Sequence, residues 1–172
     1  ARAVPIPKEE TATMNTGLQR VGRDARMPQE TRLDALAAVA GGIGNLEPEI
    51  FDFLKSSLKP TLSVAARGSA SSALKKSTLS PEQRFSLVDS VREAGPLELS
   101  NLLGCFEGAS DETLGTKLMT ALEQSKGLVS LRSEVLKPVL ANFPASVQKK
   151  GEKLLTSLEG DSTKQKAHLE KL

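Results

Sequence analysis

The chain has 172 residues, the length of one domain or of a short stack of repeats. Lys plus Arg number 23 and Asp plus Glu 21, so the net charge of +2 argues against a protein that mainly neutralises phosphates. With no Trp or Tyr, one Cys and one His, the composition argues against aromatic stacking on bases and excludes an internal disulfide framework and an ordinary zinc site. No apolar stretch approaches the roughly 20 residues of a membrane helix, so no membrane segment is expected.

Leucine and small residues dominate the composition. Leu occurs 26 times and Ala and Ser 18 times each, whereas Val and Ile together number 13. This mixture favours helices, because β-branched residues are the ones enriched in strands. Apolar positions also recur at helical spacing in successive segments separated by turn residues. We therefore predict an all-α fold of eight or nine helices.

Residues 1–27 are expected to form a lead-in segment. Pro5, Pro7 and a run of charge predict an extended start over residues 1–12, followed by a weak helix from about Thr13 to Arg26. Pro28 then opens the first regular helix. Its predicted apolar face, and the glycines expected to end it, are Leu33, Leu36, Ala37 and Ala40, and Gly41, Gly42 and Gly44.

Two more helices are predicted before residue 77. Pro48 opens one and Pro60 closes or restarts it. Its predicted apolar face is Ile50, Phe53, Leu54 and Leu58. The segment from Leu62 to Lys76 is rich in small residues, which let a neighbouring helix approach closely, although Gly68 costs about 1 kcal/mol relative to Ala. We interpret the stretch from Ala65 to Ala73 as a packing face rather than a binding cleft.

The sharpest helix start in the chain is Ser80-Pro81-Glu82-Gln83, a capping box with proline at the first helical position. Gly95-Pro96 is expected to end that helix, and either Ser110 or Asp111 to cap a later one. The apolar faces predicted between residues 80 and 123 are Phe85, Val88, Val91 and the stem of Arg92; Leu99, Leu102, Leu103 and Phe106; and Leu114, Leu118, Ala121 and Leu122.

The C-terminal part is predicted to hold two helical segments. Leu128 to Phe143 presents one apolar face that Pro138 kinks or splits, and the sequence leaves both possibilities open. Pro144 opens the last strong helix, with Val147, Leu154, Leu155 and Leu158 inward, and Gly160-Asp161 is expected to end it. Residues 28–160 would then form the repeat domain, and residues 161–172 a polar tail or a linker to a following domain.

Three helical segments share the same apolar ridge at positions i, i+4 and i+8. The ridges are Ala66, Ala70 and Leu74; Leu114, Leu118 and Leu122; and Val147, Gly151 and Leu155. Their separations of 48 and 33 residues are within or near the range of HEAT and armadillo units. We therefore favour a HEAT-like superhelix of antiparallel helix pairs over a closed helical bundle, which would produce similar stripes.

The second half of the chain resembles a known helical region. The residues that carry the resemblance are Ala94-Gly95-Pro96-Leu97-Glu98-Leu99, Leu102-Leu103, Phe106-Glu107, Ser110-Asp111-Glu112, Leu118 to Ser125, Arg132, Leu136, Leu140-Ala141-Asn142-Phe143-Pro144, Val147 and Leu154-Leu155. This pattern resembles the HEAT-like region of large planctomycete-type proteins, where it lies between a dehydrogenase-like β-propeller and a C-terminal c-type cytochrome domain. The resemblance covers about residues 80–172 well and residues 28–79 loosely.

The resemblance implies a role but no site residues. In that family a Cys-x-x-Cys-His haem motif follows this region, whereas here Cys105 stands alone and His168 is far from it in sequence. The resemblance therefore implies that the chain is a spacer cut before the haem domain, with no cofactor of its own. It also implies an exported, periplasmic parent protein whose flanking domains are the partners. The first residue is Ala rather than Met, as expected of a processed product or an excised piece.

Few side chains suggest chemistry, and each has a structural interpretation. Cys105 has no basic neighbour in sequence and is expected to be a small buried residue. His168 lies in a polar terminal segment and is expected to face solvent. Asp111 and Glu112, with Glu107 nearby, could be paired carboxylates, but their position at a helix start explains them. Gly41-Gly42-Ile43-Gly44 is a weak match to a phosphate loop, because no strand precedes it and no Lys-Ser/Thr follows.

Two basic strips are candidates for nucleic-acid binding. They are Arg20, Arg23 and Arg26, and Lys149, Lys150 and Lys153. Asp24 and Glu152 interrupt them, and no Trp or Tyr is present to stack on bases. We therefore interpret both strips as solvated faces, so nucleic acid is an improbable partner.

The sequence thus predicts a non-catalytic scaffold with no catalytic, cofactor-binding or metal-binding residues. The leading hypothesis is an interdomain spacer or protein-interaction module from a larger exported redox protein. The alternative is a stand-alone adaptor that binds a protein or peptide on its concave face, for which a coherent exposed apolar or charged patch would be the sign. A HEAT-like nucleic-acid-binding protein or an enzyme would need a continuous basic groove or a cluster of perturbed acids.

Overall fold

The computed structural model describes the backbone of residues 8–169 and the side chains of residues 9–157, and this part of the chain is all-α, as predicted. One isolated parallel bridge joins Asn45 to Thr78. The helices are α1 (Lys8–Arg23), α2 (Gln29–Ala38), α3 (Pro48–Ser56), α4 (Val64–Lys75), α5 (Pro81–Glu93), α6 (Pro96–Gly104), α7 (Glu112–Glu123), a 3₁₀ helix (Leu128–Ser130), α8 (Ser133–Leu140) and α9 (Ala145–Leu169).

The chain divides between Gln83 and Arg84 into two compact units, here called the N-terminal and C-terminal units. In the N-terminal unit α2 packs against both α1 and α4, and α3 packs against α4. In the C-terminal unit α6 packs against α8 and the 3₁₀ helix, and α9 packs against α7 and α8. The largest fully buried side chains of the two units are Leu33, Leu36, Leu54 and Leu74, and Leu87, Leu99, Leu102, Leu103, Phe106, Leu118, Met119 and Leu122.

Helix α1 begins earlier than predicted. The expected extended conformation of residues 8–12 is wrong, because these residues form the first turns of a helix that ends at Arg23 rather than near Arg26. Glu9 and Glu10 in the first turn favour this start, since carboxylates interact well with a helix N-terminus. Gly22 packs directly against Leu36 of α2, so α1 is part of the N-terminal unit. The remainder of the predicted extended start, residues 1–7, lies outside the described residues.

A glycine-rich segment follows α2 but does not itself end the helix as predicted, because α2 ends at Ala38 with Val39 as its C-cap. Gly41, Gly42 and Gly44 have φ angles of +79°, +86° and +82°, the left-handed region that favours glycine. A side chain at Gly42 would collide with the carbonyl group of Lys76. The backbone N–H of Thr78 donates to the carbonyl oxygen of Gly44 at 2.8 Å. The loop therefore lies directly against the chain that leaves α4.

The predicted capping box at the start of α5 is confirmed. The N–H of Gln83 donates to the Ser80 hydroxyl oxygen at 3.2 Å, and the N–H of Ser80 donates to the Gln83 side-chain oxygen at 2.9 Å. The Gln83 amide also donates to the carbonyl of Leu46 at 3.0 Å. The next residue, Arg84, donates to the carbonyl of Cys105 at 3.1 Å. Helix α5 is thus held by bonds near its N-terminus as well as by its apolar face.

All three predicted ridges face the interior. The nine residues Ala66, Ala70, Leu74, Leu114, Leu118, Leu122, Val147, Gly151 and Leu155 are buried. Small residues on these helices allow close approach, as at Gly151, where an added Cβ would meet the Leu140 side chain. An added Cβ at Gly115 of α7 would lie 2.7 Å from the Phe143 ring and 2.8 Å from Val147. The C-terminal unit therefore depends on close helix contacts at glycines.

Some predicted face residues are not buried. Ala40 and Arg92 are exposed, and Ala37, Phe53, Phe85 and Leu154 are only half-buried, whereas Val39, Phe51 and Leu87 take core positions that the pattern did not give. The guanidinium of Arg32 lies over the half-buried ring of Phe53, 3.9 Å from its centroid, and covers part of it. Helix α2 ends at Ala38, so Ala40 lies beyond the helical face to which it was assigned.

Two breaks considered for the C-terminal part, a split at Pro138 and a helix end at Gly160-Asp161, do not occur. The segment from Leu128 to Phe143 divides after the 3₁₀ helix, at Leu131 and Arg132, whereas Pro138 lies inside α8. Pro138 is exposed, so its ring displaces no packed neighbour. Gly160-Asp161 does not end α9, which continues to Leu169. A glycine that adopts helical angles costs only about 1 kcal/mol relative to Ala, and a long helix tolerates that cost. The side chain of Leu158, predicted to point inward, lies outside the described residues.

Candidate functional site

Cys105 is buried, as expected of a small apolar residue. It is 5% exposed, and its thiol lies 3.6 Å from the carbonyl oxygen of Asn101, one helical turn earlier. The guanidinium of Arg84 bonds to the Cys105 carbonyl oxygen rather than to the sulfur. Burial keeps oxidants and electrophiles away from the thiol. The geometry therefore fits packing and not nucleophilic chemistry.

The acidic residues near the start of α7 have structural partners. Asp111 is the N-cap of α7, and its carboxylate accepts the N–H of Leu114 at 2.7 Å. Glu112, in the first turn, accepts a hydrogen bond from the Ser146 hydroxyl of α9. Glu107 is exposed in the preceding turn. Among the described residues no group of three or more His, Cys, Asp or Glu side chains is arranged to hold a metal ion.

Ion pairs divide the arginine strip, of which Arg20 and Arg23 lie on α1 and Arg26 lies beyond its end. Arg23 bonds to Glu47 at 3.2 Å, and Arg26 bonds to Asp24 at 2.7 Å, whereas Arg20 is exposed. The hydrogen bond from the Arg26 guanidinium, with a second from the Arg26 backbone N–H, lowers the pKa of Asp24 to about 2. Two of the three arginines are thus already engaged with carboxylates, as befits a solvated face.

The lysine strip of α9 lies on one exposed helix surface. Lys149, Lys150 and Lys153 are exposed, and the carboxylate of Glu152 lies among them. Lys149, Glu152 and Lys153 border a shallow depression of about 590 Å³, and the described residues that line it all belong to α9. His168 belongs to the backbone of the same helix, but its side chain lies outside the described residues. The described residues therefore give a ligand one wall at this place.

A groove between α5 and α7 is a further candidate site in the described residues of the C-terminal unit. It has a volume of about 350 Å³ and two walls, unlike the surface of α9. Its floor is apolar, formed by Val88 and Ala121, which are 2% and 6% exposed. Its polar lining, here called the groove rim, consists of Asp89 and Arg92 on α5 and Thr116, Lys117, Thr120 and Gln124 on α7.

Sequence reasoning missed this groove. The pattern assigned Val88 and Ala121 to buried faces and treated Arg92 only as an aliphatic stem. The available signal was the set of polar residues within five positions of Val88 on α5 and of Ala121 on α7. Which of these polar residues share a groove depends on how α5 and α7 lie beside each other, and periodicity within one helix does not give that.

The fold defines the class of the protein as all-α, with helices joined by short turns. Comparison of the chain with protein-family models, with curated proteins and with solved structures finds no match in any of the three. Within residues 8–169 no helix combines the length and the apolar character needed to cross a membrane.

Proposed function

We propose that the chain is a non-catalytic helical-repeat scaffold that spaces or holds other protein parts. The observation that carries the proposal is contact between second-neighbour helices. Helix α2 packs against α4 in the N-terminal unit, and α6 against α8 and α7 against α9 in the C-terminal unit. In a stack of helical hairpins each helix contacts its own partner and the corresponding helix of the next hairpin.

Several polar side chains bond to the backbone and cap helices, which supports a scaffold role. The residues with the most specific bonds serve the backbone: Asp111 caps α7, Gln83 and Ser80 cap α5, and Asn15 bonds both to the N–H and to the carbonyl of Ala40, each at 2.9 Å. An enzyme would instead be expected to hold titratable groups in a cleft with shifted pKa values. The downward pKa shifts of Asp24, Glu82 and Glu134 come from local hydrogen bonds on exposed surfaces.

We further propose that the parent protein is a larger exported redox protein. The family resemblance falls on residues 80–172, which include α5 to α9. On this proposal the chain sets the distance between a dehydrogenase-like propeller and a c-type cytochrome domain. Its partners are these flanking domains, its compartment is the periplasm, and it carries no haem itself.

The test is the intact mass and the pyridine haemochrome spectrum of the natural product, captured from its source with an antibody against this chain. A product much larger than 18.3 kDa with a c-type haem signal supports the spacer. A product of this size without haem overturns it. Capture with antibody pre-blocked by the purified chain is the control for unrelated haem proteins.

A stand-alone adaptor is the second candidate, favoured by the groove between α5 and α7. An adaptor needs an exposed surface with unused binding capacity, and the groove rim carries charged groups on both walls. Under this alternative the product has the size of the chain and retains a bound protein through the groove. A nucleic-acid-binding role has weaker support, because ion pairs divide the arginine strip and Glu152 interrupts the lysine strip of α9.

A further inference from the structure

We propose that the groove between α5 and α7 binds an extended acidic segment of a protein partner. This inference deepens the proposed scaffold function, on which it rests, by giving it a binding surface and a class of partner. The groove supplies a positive charge on each wall, an apolar floor, and side chains able to bond to a peptide backbone.

The two cations of the groove rim, Arg92 and Lys117, have no partner among the described residues. Arg92 and Lys117 are exposed, and in the part of the chain that the structure describes neither makes a hydrogen bond or an ion pair. By contrast, Arg23, Arg26 and Lys126 pair with carboxylates, and Arg84 bonds to a backbone carbonyl. Arg92 and Lys117 lie on different helices that line the same groove, so both present positive charge to a carboxylate bound there.

Asp89, the acidic residue of the groove rim, limits where a carboxylate of the partner can bind. Asp89 lies on α5, one helical turn before Arg92, so the rim has two cations and one anion. A partner carboxylate is favoured beside Arg92 and Lys117 and repelled beside Asp89, since like charges repel. The carboxylate of Asp89 can instead accept a backbone N–H of the partner.

The other groove residues suit an extended backbone better than a free anion. The Gln124 amide both donates and accepts, as the N–H and C=O groups of an extended segment require. The Thr120 hydroxyl donates to the carbonyl of Thr116 at 3.1 Å, which leaves its oxygen able to accept a peptide N–H. Alternate side chains of an extended segment point to the same side, so one set can face the bottom of the groove, where Val88 and Ala121 leave little exposed apolar surface.

The test measures fluorescence anisotropy of a labelled peptide of four Glu-Val repeats titrated with the full chain at low ionic strength. We expect saturable binding, no binding of the matched Gln-Val peptide, and loss of affinity as salt is added. The variant Arg92→Gln/Lys117→Gln should bind the Glu-Val peptide about tenfold more weakly, because both cations that attract its carboxylates are lost.

The matched control is Lys149→Gln/Lys153→Gln, which removes the same charge from the exposed surface of α9. Its affinity for the Glu-Val peptide should change less than about twofold, since surface charges outside the groove act only through a screened field. Circular dichroism should show unchanged helix content in both variants, because all four side chains are exposed.

Three results would overturn the inference: no binding of the Glu-Val peptide, equal weakening by the two double variants, or tighter binding of a thymidine oligonucleotide than of the peptide. The mass and haem measurement does not depend on the groove, and peptide binding does not depend on the parent protein. Failure of one proposal is therefore distinguishable from failure of the other.

Discussion

Gly68 and Gly115 lie in helix interiors with opposite surroundings. A Cβ added at Gly68 of α4 would meet no atom within 4 Å, whereas one at Gly115 of α7 would lie 2.7 Å from the Phe143 ring. Gly68→Ala should therefore raise the free energy of unfolding by about 1 kcal/mol, the difference in helix propensity. Gly115→Ala should lower it by about 1–3 kcal/mol through overpacking.

Urea unfolding followed by circular dichroism measures both glycine variants against the parent chain. Each substitution adds the same methyl group to a helix, so each is the control for the other. Changes of the same sign in the two variants would contradict the proposed close contact between α7 and α9 at Gly115.

Asp24 is the residue whose titration depends most clearly on one neighbour. The hydrogen bond from the Arg26 side chain, then that from its backbone N–H, lowers the pKa of the Asp24 carboxyl to about 2. Because the folded pKa lies below the unfolded value, this contact contributes stability above about pH 4, which is lost as the pH falls towards 2. Carbon-13 NMR of the carboxyl group should show this pKa, and Arg26→Ala should move it towards the ordinary value. An unchanged Asp24 pKa in that variant would exclude the Arg26 side chain as the main cause.

At the scale of the helix, α7 has two candidate N-cap residues in the sequence, and the structure distinguishes them. Asp111 accepts the Leu114 N–H, whereas Ser110 is exposed one residue earlier. Asp111→Ala should therefore lower the free energy of unfolding by about 1 kcal/mol, and Ser110→Ala should leave it within about 0.5 kcal/mol. Urea unfolding of the two variants distinguishes the residues. A larger loss of stability for Ser110→Ala than for Asp111→Ala would contradict Asp111 as the N-cap.

Local capping signals predicted several helix starts, and apolar periodicity predicted much of the core. The capping box at Ser80 acts within four residues, so its whole cause lies in the local sequence. Local signals at Gly160 and Pro138 were less reliable: Gly160 does not end α9, and Pro138 does not split its segment. Each residue can end or break a helix, but whether it does depends on packing along the rest of that helix.

At the scale of the whole molecule, the sequence predicted the all-α class but neither the division of the chain nor the groove. The division between Gln83 and Arg84 falls inside α5, where no glycine or polar linker marks it. The groove needs Arg92 and Lys117 on separate helices to lie on opposite walls. Both features arise from contacts between helices, whereas the patterns in the sequence describe one helix at a time.

The position of that division affects how the chain can be cut for study. A fragment that begins at Arg84 would start inside α5 and lack Ser80 and Gln83, so its first helix would have lost its capping box. A fragment that ends at Gln83 would retain the bond to Leu46 but only the first turn of the same helix. Useful truncations should therefore end in the turns on either side of α5, so that this helix is kept whole in one piece or omitted from it.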